Sequence, residues 1–320
     1  MKKIIASALT TALVIGAAST TFAKDFSDEF SLDGEARYTY AHIKFAKNAK
    51  SHPSILELRL LPTYRINDDF AVKARFTGSW DIDNDDTDGD MNFLYLDGNF
   101  DAYNFKAGKI PLVSMVDSTP MSGGFFDDFF TGVEVATQYD GNFDLKVDGG
   151  RWNEIKDMVG GNHATYISGE GVYTDDEDRF QAGIGYHYVK NRVIGKNNIL
   201  TLGAGYNIND DWTLYGAYAK NTDADIFDKA YNIEADYLGA DPDEPGSYGA
   251  FLAYRYVGIN ASPLGTVDTY RLFRDIKGFD FGGTYVPMED TLIRLSYLHG
   301  KNLINNDTSH VFVARASWFF

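Results

Sequence analysis

The sequence predicts an all-β protein: a transmembrane antiparallel β-barrel of about 16 strands, with short turns at one end and longer loops at the other. Three observations carry this. The body of the chain divides into segments of about nine to thirteen residues in which an apolar and aromatic row alternates with a row of charge and glycine, the length and period of a tilted membrane strand. Short polar connections alternate with longer ones along the chain. Aromatic residues make up 15% of the sequence, more than long strands could show to water without aggregating, but what a lipid-facing surface requires.

From the N-terminus, Lys2 and Lys3 precede the apolar stretch "IIASALTTALVIGAA", and Thr21 to Ala23 offer small residues for cleavage. Residues 1–23 therefore read as a secretory signal peptide and residues 24–320 as the barrel. Losing Lys2 and Lys3 takes the net charge from −17 to −19. Beyond residue 23 no apolar run approaches the roughly twenty residues of a membrane-spanning helix. Cysteine is absent, which excludes disulfides, thiolate metal sites and a cysteine nucleophile. The acidic balance argues against a nucleic-acid partner, whose phosphates need Lys and Arg.

The strands follow in order. In "SLDGEARYTYAH", Leu32, Gly34, Ala36, Tyr38 and Tyr40 alternate with Asp33, Glu35, Arg37 and Thr39. In "ILELRLLPTYRI", the row of Leu56, Leu58, Leu60, Tyr64 and Ile66 stands against Glu57, Arg59, Thr63 and Arg65. "FAVKARFTGSW" sets Phe70, Val72, Ala74, Phe76 and Trp80 opposite Lys73, Arg75, Thr77 and Ser79. The rhythm recurs in "FQAGIGYHY", "YNIEADYLG" and "YGAFLAYRYV", and closes in "HVFVARASWFF". There Phe312, Ala314, Ala316, Trp318 and Phe320 form one row, and Val311, Val313, Arg315, Ser317 and Phe319 the other. A soluble barrel or sandwich hides its apolar row inside. So many repeats behind a signal peptide predict the inverse, with lipid outside, water inside and no open backbone edge.

Short polar turns are expected at Asn67–Asp69, Asp101–Ala102, Gly141–Asn142, Asp175–Asp178, Asn209–Asp211, Asp241–Gly246 and Met288–Asp290. Longer connections fall near residues 45–53, 82–90, 111–130, 152–163, 190–197, 221–229, 259–275 and 302–308. Seven short and eight long connections give sixteen strands with both termini at the short-turn, periplasmic end. About sixteen strands enclose an aqueous lumen, whereas eight would be filled by side chains.

With this pattern over the whole mature length and an aromatic C-terminal residue, the chain resembles the sixteen-stranded porins of Gram-negative outer membranes. In "MSGGFFDDFFTGVEVA", "ADPDEPGSYGAFLAYRYV" and "DFGGTYVPMEDTLIRLSYLHG" it is similar in finer detail to porins of diderm Firmicutes. Many of those carry an N-terminal S-layer homology region. Here the first strand starts almost directly after the signal, so that tether is not expected. The resemblance implies passive diffusion of small hydrophilic solutes and ions, outer-membrane lipid around a homotrimer, and no cofactor. It also implies that Phe312, Trp318 and Phe320 are read by the barrel-assembly machinery, although the same row would serve an ordinary closing strand.

In trimeric porins the third long loop folds into the barrel, and a connection of about twenty residues is uncommon unless functional. The segment "PLVSMVDSTPMSGGFFDDFFT" is therefore expected to enter the lumen, with Phe125, Phe126, Phe129 and Phe130 against the wall and Asp117, Asp127 and Asp128 offering carboxylates to the pore. Arg37, Arg59, Arg75 and Arg315 lie in inward rows of strands one, two, three and sixteen, which are neighbours in a closed barrel. Such a basic wall facing an acidic loop would set a transverse field at the narrowest point. Pairing with Glu35 and Glu57 is the alternative for these arginines, and Lys73, Lys106, Arg255 and Arg294 also face inward.

Two other chemistries fit poorly. "DIDNDDTDGD" places Asn84, Asp86, Asp88 and Gly89 as a calcium loop would, but the twelfth position is Tyr95, so it reads as a solvated acidic loop and no metal site is expected. None of His42, His52, His163, His187, His299 and His310 stands in a hydrolase motif, which leaves a barrel hydrolase behind a structural or adhesive barrel as alternatives to the channel.

Overall fold

The computed structural model describes residues 28–46, 49–139, 141–153, 163–263 and 275–320; the expected signal peptide, residues 1–23, lies outside them. The alternating segments form the strands β1 (Phe30–Ala46), β2 (Ala49–Ser51), β3 (Ser54–Arg65), β4 (Phe70–Asp81), β5 (Asp86–Phe100), β6 (Tyr103–Val113), β7 (Asp127–Tyr139), β8 (Phe143–Trp152) and β9 (Ala164–Thr174). They continue as β10 (Phe180–Asn191), β11 (Gly195–Asn207), β12 (Trp212–Asn221), β13 (Lys229–Leu238), β14 (Tyr248–Val257), β15 (Ile276–Tyr285), β16 (Thr291–Asn302) and β17 (Thr308–Phe319). Among the described residues there is no helix.

Every strand from β3 onward pairs antiparallel with the next, and β1 pairs with both β3 and β17, from Glu35↔Phe319 to Lys44↔His310 on the second edge. The ring is closed, so no strand edge is left to meet hydrocarbon. The seventeenth strand is the short β2, which extends the end of β1; sixteen strands make the ring.

Polarity is inside-out. Val147, Ile184, Leu252 and Phe281 are exposed on the outer surface, whereas the opposite row carries Glu134, Lys146, Glu170, Glu234 and Arg255, all buried. Two aromatic bands ring the outside. Phe143 and Tyr173, and Trp212 and Tyr237, lie near the short-turn end with ring centroids 5.0 and 4.9 Å apart; Tyr231 and Tyr256, and Tyr254 and Phe279, lie toward the other end at 5.1 and 5.0 Å. Aromatic side chains at these two heights suit the interfaces of a bilayer.

Several connections are tighter than the sequence suggests. The acidic segment from Asp81 to Asp90 is mostly strand, turning only over Ile82–Asp85, with Asp85 at φ 49°. Asp81 Oδ1 accepts the amides of Asp83 and Asn84, so this carboxylate caps its own turn. The β10–β11 turn is likewise reduced to residues 192–194.

The chain closes on Phe320, whose backbone exchanges hydrogen bonds with Gly34 of β1 (2.6 and 3.0 Å). Its ring lies over the bare Cα of Gly34, in space that a Cβ would occupy. Trp318, paired with Ala36, stays exposed on the outer face, and Phe312, opposite His42 in the same row, is half-buried. Gly34→Val is expected to displace the ring and lower the temperature at which the folded, heat-modifiable band disappears on gels. Phe320→Ala should remove most of that sensitivity; an undiminished penalty in the double variant would show that the seat is not the cause.

Candidate functional site

Among the described residues the wall of the barrel breaks inward at one place. β5 pairs with β6 only as far as Lys109, and β8 pairs with β7 no further up than Thr131. Beyond those points Ile110–Val113 and Asp127–Phe130 pair only with each other, from Ile110↔Phe130 to Val113↔Asp127. The bend is made by Gly108, at φ 138°, a conformation that residues with a Cβ rarely adopt, paired with Gly132. The expected loop over 111–130 is thus a hairpin tip with a shorter loop, Ser114–Phe126, leaning into the lumen.

This tip is a partition with two faces. Ile110, Leu112, Phe130 and the loop's Phe125 and Phe126 are at most 2% exposed and pack with Trp152, Tyr166, Val189 and Ile199. Phe126 stacks on His187 with centroids 3.9 Å apart, and Tyr166 hydrogen-bonds the same imidazole (3.0 Å). Burying each phenyl ring stabilises the inward position by roughly 1.5–3 kcal/mol. The other face, Pro111, Val113, Asp127 and Phe129, turns toward a cavity of about 500 Å³.

Polar anchors reach the loop from the far wall. Met121 and Ser122 N–H donate to the two oxygens of Glu234 on β13 (3.0 and 2.7 Å), and Met115 N–H donates to Glu170 on β9 (2.6 Å). Arg255 of β14 donates to Ser122 O (2.5 Å) and Arg294 of β16 to Met121 O. Asn232 donates to Thr119 and Ser122 hydroxyls (2.8 and 2.7 Å). On β11 the loop backbone lies directly on Gly203, where a Cβ would overlap Val116 O. The β14–β15 connection adds Ser262, whose hydroxyl donates to Phe125 O (3.1 Å).

The open side of the lumen holds the arginines. Arg37, Arg59, Arg75 and Arg315 line the 500 Å³ cavity together with Glu57, Asp127 and Asp128. A second space of about 190 Å³ shares Arg37 and Arg315 and adds Glu35 and Arg294. Five successive strands of the ring, β16, β17, β1, β3 and β4, each contribute one guanidinium. Arg37 lies 2.8 Å from Glu35, and Arg59 lies 3.4 Å from Glu35 and 3.3 Å from Glu57, so two of the four pair with carboxylates of the same wall. Arg75 donates to Asn92 (3.1 Å) and sits over the rings of Phe93 and Phe129, at 5.3 and 4.9 Å. Arg315 donates to Thr39 (3.3 Å).

The three acidic residues separate. Asp127 is half-buried on the cavity face, and Asp128, 2% exposed, accepts the Trp152 indole N–H (3.0 Å). Asp117 is a correction: it is fully buried inside the loop and offers nothing to the pore. Its Oδ1 accepts the Phe125 N–H (2.9 Å), tying the loop across eight residues. Burial, and then the nearby Glu170 carboxylate, push its pKa up to about 7. A carboxyl raised in the fold favours folding in its neutral form, so that stabilisation is complete below its ordinary value near 4 and is lost as pH rises toward 7. The folded barrel is expected to melt at lower temperature at pH 8 than at pH 5, and Asp117→Asn should flatten that difference; an unchanged pH dependence in the variant would remove Asp117 as its source.

Glu170, Asn232 and Glu234 escape the sequence reading. They belong to the polar rows of β9 and β13, but alternation says only that they face inward, not that a loop from the opposite wall ends on them. No group of three or more His, Asp or Glu among the described residues is arranged to hold a metal ion.

A closed ring of sixteen antiparallel strands, apolar outside and charged inside, with one hairpin folded into the lumen, defines a transmembrane β-barrel of the porin architecture. Solved structures carry the same fold. A double mutant of Rh. blastica porin superposes with a TM-score of 0.60 at 12% identity, over 91% of this chain and 100% of that one. A triple mutant of the same porin gives 0.59 at 13%, and an engineered protein studied for asymmetric conductivity gives 0.59 at 14%, with the same coverage. No family model and no curated protein sequence matches the chain.

Proposed function

We propose that the protein is an outer-membrane porin, a passive diffusion channel for small hydrophilic solutes and ions, with no enzymatic role. The observation that supports this most is the space of about 500 Å³ beside the partition, lined by Arg37, Arg59, Arg75 and Arg315 together with Asp127. Opposed charges in a narrow passage favour polar solutes over apolar ones. With four guanidiniums set against Glu57, Asp127 and Asp128, the net charge at this height is small, and ion selectivity is weak.

The likeness to porins supports the remaining parts of this reading: export by a cleaved signal peptide, recognition of Phe312, Trp318 and Phe320 by the barrel-assembly machinery, and a homotrimer surrounded by lipid. Purified protein added to a planar bilayer should produce discrete, ohmic conductance steps. Lipid hydrolysis without conductance would replace the channel by a barrel hydrolase, and neither activity would leave a structural or adhesive barrel.

A further inference from the structure

The outer surface carries a pattern that the lumen does not explain. At the end opposite the termini, just beyond the upper aromatic band, lysines face lysines across adjacent strands. Lys190 pairs directly with Lys196, Lys220 with Lys229, and Lys277 with Lys301. All six share the outward row of exposed neighbours such as Tyr186, Leu200, Tyr218 and Phe279. Five are exposed and Lys220 is half-buried.

Like charges directly opposite one another destabilise a sheet. In a chain of net charge −17, these three pairs, joined by a fourth at Lys44 and Lys50 across β1 and β2, stand out at one end of the barrel. Carboxylates stand at both ends, Asp68, Asp69, Asp176, Glu177, Asp210 and Asp211 in the short turns and Asp83, Asp85, Asp223 and Asp225 in the long connections, whereas among the described residues outward lysine pairs occur only at the long-loop end. Lys220 is ion-paired with Asp228; for the other five lysines of the first three pairs, no ion pair is formed among the described residues. The placement is therefore asymmetric between the two ends and repeated around the ring, on β10–β11, β12–β13 and β15–β16.

We propose that these lysine pairs bind phosphomonoester headgroups of lipids in the leaflet at that end. The height is that of headgroups, immediately beyond the aromatic band. A phosphomonoester carries close to two negative charges at neutral pH and several acceptor oxygens, matching two ammonium groups held side by side. A phosphodiester headgroup carries one. The inference rests on the barrel spanning a membrane and is independent of what the lumen passes.

The test uses the full-length barrel in detergent micelles, with diphosphoryl lipid A, phosphatidylglycerol or inorganic phosphate added at equal phosphate concentration. Lipid A is expected to raise the temperature at which the folded band is lost, and to bind the β10–β11 and β15–β16 pairs up to about thirtyfold more tightly than it binds the same places in a Lys190→Gln, Lys196→Gln, Lys277→Gln, Lys301→Gln variant, which removes two lysines from each. The variant's folded band without lipid serves as the control for its integrity, and a version with only Lys277→Gln and Lys301→Gln serves if four substitutions prevent folding. Equal lipid A binding by variant and parent overturns the proposal. Equal protection by phosphatidylglycerol overturns the preference for a phosphomonoester, and equal protection by inorganic phosphate overturns the lipid as the source.

Discussion

Barrels carrying Gly203→Val or Glu234→Ala should conduct in larger and noisier steps than the parent. The two substitutions release the same loop in different ways. At Gly203 the obstacle is steric: the loop carbonyl of Val116 occupies the place of the new Cβ, and a clash between backbone and Cβ cannot be relieved by rotating a side chain. At Glu234 the loss is electrostatic. This carboxylate is fully buried and accepts the Met121 and Ser122 amides, and hydrogen bonds to a charged group contribute roughly 1.5–3 kcal/mol each. Its removal also leaves those two amides without their acceptor. The rings of Phe125 and Phe126 oppose release, so excursions rather than permanent opening are expected from Glu234→Ala, and a lasting change from Gly203→Val. If both variants fold and show the parent's conductance, the loop does not limit the passage.

Charge substitutions on the open side should move ion selectivity in opposite directions. Arg59→Gln together with Arg75→Gln is expected to shift the reversal potential in a salt gradient toward cations. Asp127→Asn together with Asp128→Asn should shift it toward anions. A unit charge roughly 8 Å from a passing ion contributes ~1 kcal/mol at an effective dielectric constant of about 40, which is about a fivefold change in that ion's access. The arginine pair has the larger effect because Arg59 is the nearer partner of Glu57, at 3.3 Å against 4.0 Å for Arg37, and its loss weakens the neutralisation of that carboxylate beside the ion path, while Glu35 keeps Arg37. In the aspartate pair Asp127 dominates; Asp128 is buried, and the amide introduced by Asp128→Asn keeps an oxygen for the Trp152 indole. Both shifts should shrink as salt rises, since the screening length falls from about 8 Å at physiological ionic strength to about 3 Å at 1 M. No shift from either pair would place the narrowest point away from these side chains.

The sequence by itself determined which face of each strand meets lipid and which meets the lumen. A period of two leaves no freedom: Arg37, Arg59, Arg75 and Arg315 must share the side opposite Leu58, Phe76 and Ala316. The count of spanning strands followed from the same alternation, missing only β2, whose three residues are too few to show a period. The start of β7 was hidden for a related reason. "FFDDFF" pairs its apolar and charged residues instead of alternating them, because this hairpin tip stands inside the lumen with packed rings against one face and water against the other.

Only the tertiary structure decided where the partition docks and what Asp117 does. Ser122 meets Glu234 and Arg255 across more than a hundred residues, and which lumenal side chains coincide in height depends on how the ring closes and tilts, a property of the whole barrel rather than of any strand. A charged residue in a long loop ordinarily faces water, which is why Asp117 reads as a pore carboxylate in the sequence. It is buried because the loop folds onto itself and onto β9, so that an amide eight residues further along, Phe125 N–H, takes the place of solvent.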